Sequence, residues 1–154
     1  MSYFLPTIIY RHRKENLKKC SLKGLENHPD LNFFTYPIHN PEISDNYLLL
    51  DIDGEELSKK DIGSPLFLID GTWRHAEKMK KRVSHLKKRS IPKGFITAYP
   101  RKQEDCMDPS RGLASVEALY IAHRILYKND FSLLNYYYWK DLFLEKNHLL
   151  LNNL

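Results

Sequence analysis

Leu66-Phe-Leu-Ile-Asp-Gly-Thr-Trp-Arg-His-Ala-Glu-Lys-Met79 is the stretch that decides the fold. Leu66 to Ile69 is a short continuous apolar run, the pattern of a central parallel strand covered on both faces. The run stops at Asp70, turns at Gly71 and starts a helix with Thr72 as N-cap. Trp73, Ala76, Met79, Val83 and Leu86 then fall on one helical face. In open α/β sheets ligands bind outside the carboxyl ends of the strands. Asp70 stands at such an end, which makes it the first candidate for a catalytic residue. The competing reading is that Asp70 only caps the helix.

Outward from this stretch, strands and helices alternate. Thr7 to Tyr10 reads as a first buried strand, and the polar segment Arg11–Leu25 as a short helix carrying Leu17, Leu22 and Leu25. Phe33 to Ile38 and Tyr47 to Ile52 read as strands, the second ended by a turn at Asp53-Gly54. Ser58–Asp61 suggests a helical turn, and the helix after Thr72 is expected to run to Lys88–Ser90. Phe95–Tyr99 reads as another strand, followed by a charged loop from Arg101 to Asp108. Pro109–Gly112 leads into a helix with Ser115 as N-cap and Glu117 in its first turn. Phe131–Leu151, rich in Tyr and Phe, reads as one final helix covering the core or a dimer face rather than a platform for bases. The order predicts one α/β domain over residues 1–154 with a mostly parallel sheet.

Composition bounds the chemistry. The chain has 154 residues with 24 Lys and Arg against 19 Asp and Glu. No apolar run reaches the ~20 residues of a membrane helix, and the first residues lack a signal-peptide pattern. Cys20 and Cys106 are the two cysteines, with no metal spacing; this predicts a reducing, cytoplasmic setting and no metal. No dinucleotide fingerprint, P-loop or nucleophile elbow is present. The positive charge is concentrated: Arg74, Lys78, Lys80, Lys81, Arg82, Lys87, Lys88, Arg89, Lys93, Arg101 and Lys102 share a window whose single acid is Glu77. Arg11, Arg13, Lys14, Lys18, Lys19 and Lys23 form a second cluster. Such asymmetry is the footprint of a polyanion partner such as nucleic acid; the competing reading is a solvated helix face.

Three stretches in order resemble a known family. Asp70-Gly-Thr-Trp-Arg-His-Ala-Glu-Lys-Met79 resembles the signature of DTW-domain proteins, the aminocarboxypropyltransferases of tRNA uridine. Gly112-Leu-Ala-Ser-Val-Glu-Ala-Leu119 resembles their Leu-Ser-Thr-x-Glu-Ala helix start, and the block from His12 to Leu25 their upstream His-Pro-x-Glu segment, with Ser21 at its last Thr. The family's cysteine-rich metal motif is missing. Tyr47–Ser58 is more similar to the related ribosomal RNA aminocarboxypropyltransferases.

The resemblance implies a SPOUT-like fold with a trefoil knot and S-adenosylmethionine as donor. Its 3-amino-3-carboxypropyl group would pass to a uridine-type base, tRNA favoured and rRNA next, with release of methylthioadenosine. It implies donor contacts at Ser21, Ile69, Asp70, Trp73, Ile91, Gly112, Leu113 and Ser115. Ile69, Ile91 and Leu113 would supply backbone groups and apolar walls for adenine. Trp73 would pack beneath the site or anchor the core. Asp70 would orient the donor's ammonium or accept the imide proton. Arg11, Arg13, Arg74, Lys78, Lys81, Arg82 and Lys88 are the candidates for gripping RNA phosphates. A SPOUT-type methyltransferase and a non-catalytic RNA-binding protein are the alternatives, and a monomer is favoured.

Overall fold

The computed structural model describes residues 5–100 and 112–154. The loop expected over 101–108, with Arg101, Lys102 and Cys106, and the lead-in at 109–111 lie outside them. The strands are β1 (Thr7–His12), β2 (Leu31–Tyr36), β3 (Leu48–Glu56), β4 (Leu66–Asp70) and β5 (Lys87–Ser90). They form one sheet in the order β2-β1-β4-β3-β5, and every pairing is parallel. The helices are α1 (Trp73–Lys80), α2 (Ser115–Leu126), α3 (Lys140–Lys146) and α4 (His148–Asn152). No described helix is long and apolar enough to cross a membrane.

β4 is the buried strand its apolar run predicts. Alternate side chains enter two separate cores. Leu66 and Leu68 join Ile9, Leu48 and the apolar side of α2. Phe67 and Ile69 join Ile8, Tyr10 and Leu49 with Met79 of α1 and Val83 just after it. Leu66, Phe67 and Leu68 are almost wholly buried, and each contributes roughly 1.5–3 kcal/mol relative to exposure.

Six local expectations are corrected. Residues 11–25 form turns rather than a helix: Asn16 Oδ1 accepts the Lys18 amide at 3.1 Å, and Leu17 stays exposed while Leu22 and Leu25 are buried. Asp53-Gly54 does not end β3 but sits inside it, where the β3–β5 register shifts. A Cβ at Gly54 would lie 2.5 Å from β5 backbone atoms, so glycine serves close approach of a neighbouring strand. The helix after Thr72 ends at Lys80, followed by a 3-10 turn over Lys81–Val83. Lys87–Ser90 is instead the edge strand β5, whose lysines suit an unpaired border. The final helix is broken into a 3-10 turn (Phe131–Leu134), α3 and α4.

Phe95–Tyr99 is the fifth correction, because it pairs with no strand among the described residues. Its backbone is satisfied by side chains. Asn147 Oδ1 accepts the Ile96 amide at 2.7 Å, and its Nδ2 donates to Ile96 O at 2.8 Å. Glu117 accepts from the Ala98 amide at 2.9 Å, Thr97 Oγ1 at 2.6 Å and Tyr137 Oη at 2.8 Å. It also accepts the Ala114 amide at 2.8 Å, closing the first turn of α2. Ala114, one residue before the expected Ser115, is the N-cap. One buried carboxylate thus fixes the start of α2 and the 95–99 segment together.

Glu117→Gln keeps the shape but puts an amide NH₂ among donors. It should cost on the order of 1–3 kcal/mol in urea unfolding and speed amide exchange at Ala98. Unchanged stability and exchange would show that these hydrogen bonds do not hold the segment.

Candidate active site

The sheet order creates a crevice between β1 and β4. The chain leaves β1 toward β2 on one side, and its path from β4 leads to β5 on the other. Such a reversal opens a ligand site beyond the carboxyl ends. Arg11 and Asp70 are direct register partners at those ends.

Period-two alternation gives the crevice two unlike sides. Arg11 and Asp70 fall on the α2 side, with Ile9 and Leu68. Asp70 is 4% exposed and Arg11 9%. Arg11 Nε donates to Asp70 Oδ2 at 3.0 Å, and Nη1 pairs with Glu26 Oε1 at 3.3 Å. The guanidinium also lies 4.8 Å from the Phe33 ring centroid. Cys20 Sγ donates to the same Asp70 oxygen at 3.1 Å. Burial, then the neighbouring Asp70 charge, pushes the Cys20 thiol up to about 12. Cys20 is therefore a protonated donor at neutral pH and not a nucleophile.

Glu15 completes this group and was not singled out by the sequence. Donor atoms of Glu15, Cys20 and Asp70 all lie within 4.8 Å of one another. Burial, then the Asp70 charge, pushes the Glu15 carboxyl up to about 7, against the opposing pull of Arg11. The one signal available was its place in the upstream block, four residues beyond Arg11.

The other candidate donor contacts divide. Ile91 and Leu113 line a cavity of about 110 Å³ with Leu50, Leu68, Pro92, Gly94 and Phe95. Ser21 Oγ accepts the Val116 amide at 3.1 Å, so it sits at the α2 N-terminus beside Ser115, with Gly112 and Leu113 just upstream. Asp70 shares a sheet face with the cavity-lining Leu68. The Ile69 side chain packs instead in the α1-side core, so it forms no wall of this cavity. Trp73 is 45% exposed at the start of α1, and Arg74 lies 5.4 Å from its ring centroid; it is not a core anchor.

The α1 side of the crevice is cationic and aromatic. His12, the last residue of β1, stacks on His75 with centroids 3.7 Å apart and planes 7° off parallel. Burial, then His75 and the nearby Lys14, Arg13 and Lys78, holds the His12 imidazole below its usual range. Arg82 lies over the Tyr36 ring at 4.6 Å and donates to Tyr10 Oη at 3.1 Å. Arg13, Arg74, Lys78 and Lys81 are exposed. Lys80 and Lys88 flank the buried Asp51 at 3.3 and 3.7 Å, a counter-charge inside the basic face. Arg11 alone among the candidate RNA grips is removed from this face, buried and ion-paired on the opposite side.

The chain is an α/β domain with an all-parallel sheet and a buried Arg–Asp pair at the reversal point of that sheet. No protein-family model matches the chain, and no curated protein matches it in sequence. Among solved structures, the fold is similar to that of the SAM-dependent rRNA:acp-transferase Tsr3 from Vulcanisaeta distributa. The TM-score is 0.76 at 21% identity, over 98% of this chain and 83% of that one.

Arg11→Met strands the Asp70 carboxylate without its cation and should cost roughly 3–5 kcal/mol. Adding Asp70→Leu should recover most of that loss in urea unfolding. A double variant no more stable than Arg11→Met would mean that the pair is not the source of the loss.

Proposed function

We propose that this protein transfers the 3-amino-3-carboxypropyl group of S-adenosylmethionine to a uracil-type base in RNA. The observation that carries the reading is a coincidence of place. The stretch resembling the family signature ends β4 at the sheet reversal, in a fold that matches an rRNA acp-transferase over nearly the whole chain. Because that neighbour acts on rRNA, rRNA comes first as acceptor and tRNA second. The reading carries with it a SPOUT-like knotted chain path.

The residues on the α2 side fit the donor. Leu50, Leu68, Ile91 and Leu113 offer apolar walls suited to adenine. Asp70 offers a carboxylate for an ammonium. Ser21 and Ser115, at the start of α2, offer hydroxyls for the donor's carboxylate or ribose. When bound, the sulfonium supplies an already activated Cγ, so the chain's work is placement and exclusion of the competing methyl transfer.

The α1 side fits RNA. Arg13, Arg74, Lys78 and Lys81 meet phosphates, and the exposed Trp73 offers a face for an unstacked base beside the crevice. Arg11 holds Asp70 in place rather than gripping phosphate.

Incubation with S-adenosylmethionine labelled in the carboxyl group, and separately in the methyl, tests the reading with rRNA and tRNA as acceptors. Carboxyl label alone should enter RNA. Methyl label in RNA would make the protein a methyltransferase. No label in RNA, together with no donor binding by calorimetry, would leave an RNA-binding protein.

Lys78→Glu with Lys81→Glu should weaken RNA binding and flatten its salt dependence by about 0.7–0.9 per lost phosphate contact. Donor affinity should be unchanged. An unaltered salt slope would make this helix an ordinary solvated face.

A further inference from the structure

We propose that Glu15 is the group that takes the proton from the acceptor base during transfer; this rests on the function proposed above. Four groups beside the crevice could accept a proton, and the geometry separates them: the Nδ1 of His75 is buried in its stack on His12. Asp70 is almost wholly buried; its Oδ2 already accepts from Arg11 and Cys20, and its other oxygen is the one left for the donor's ammonium. His12 Nδ1 accepts the Lys14 amide at 3.0 Å. That bond assigns the proton of the neutral ring to Nε2, which makes the free nitrogen a donor.

Glu15 is placed differently. Its amide donates to His12 O at 3.0 Å, in a tight turn immediately beyond β1. This turn holds the residue between the exposed Arg13 and Lys14, on the RNA side, and the Asp70 group, on the donor side. The side chain is partly buried rather than sealed, unlike Asp70. Among the described residues, none donates a hydrogen bond to its carboxyl. The groups that face it electrostatically are Asp70, which disfavours the carboxylate, and Arg11, which favours it. With burial, the balance brings its titration to about 7, better matched to an imide N–H than an ordinary glutamate.

The step balances as follows. Glu15 carboxylate takes the proton from the base nitrogen, and the electron pair left on nitrogen forms the bond to Cγ of the donor. The Cγ–S bond breaks, and its pair neutralises the sulfonium as methylthioadenosine leaves. Glu15 then returns the proton to water.

Two readouts test this. The Glu15 carboxyl should titrate near pH 7 in ¹³C-glutamate NMR of the whole protein, its signal identified by loss in Glu15→Gln. Transfer of carboxyl label to the RNA that wild type modifies should rise with pH through the same range. Glu15→Gln should bind the donor as wild type by calorimetry, lose roughly 10²–10⁴ in kcat, and lack that rise. Glu15→Asp keeps a carboxyl and should retain the rise at reduced rate, which guards against a folding defect in the amide variant. Titration in the ordinary glutamate range, or wild-type turnover by Glu15→Gln, overturns the proposal. Wild type that binds donor yet labels no RNA removes the transferase reading itself, and this step with it.

Discussion

A buried carboxylate at the end of the central strand is the constraint on which the rest depends. Asp70 cannot be held in an apolar setting without compensation, because an isolated buried charge is far too costly. Arg11 supplies the compensation from the adjacent strand at the same register position. Their pairing ties the end of β1 to the end of β4. It also draws Cys20 and Glu26 inward, so the irregular 13–26 segment closes over the α2 side of the crevice. A polar group is thereby concentrated where the sheet order opens a site, and the hydrophobic cores begin directly beneath it.

The pleat then separates two kinds of chemistry with almost no additional machinery. Adjacent residues at the same strand ends, Arg11 and His12, point to opposite faces. One face meets carboxylates, a thiol and an apolar cavity. The other meets stacked imidazoles, tyrosines and exposed lysines. On the proposed function, a small cationic donor and a large polyanion would approach one crevice from opposite sides. The segments framing the α2 side have little regular structure. Glu117 and Asn147 replace the missing ladder with side-chain bonds, which explains why both are buried although polar.

What could be read in the sequence followed from local pattern. The apolar run at Leu66–Ile69 located the central strand, and Asp70 at its end located the crevice. Strands at Thr7, Phe33 and Tyr47 were legible for the same reason. β5 was not, because Lys87-Lys-Arg-Ser90 has no apolar alternation and becomes a strand only by pairing with β3. Phe95–Tyr99 has strand-like composition, yet Asn147 and Glu117 claim its backbone groups from far along the chain. Trp73 fitted an apolar helical stripe, but it is the first residue of a short α1 and its indole is left exposed. The Asp70 neighbourhood was visible only in part. Arg11 read as one more base in a basic cluster, and nothing local shows that it turns inward or that Glu15 joins it.

The division of the crevice is the central claim, and hydrogen exchange with mass spectrometry tests it most directly. S-adenosylmethionine alone should slow exchange in 15–21 and 112–118 while leaving 74–82 unchanged. RNA alone should protect 74–82 and the 12–14 turn without protecting 112–118. Donor protection centred on α1, or overlapping footprints for the two ligands, would contradict the account.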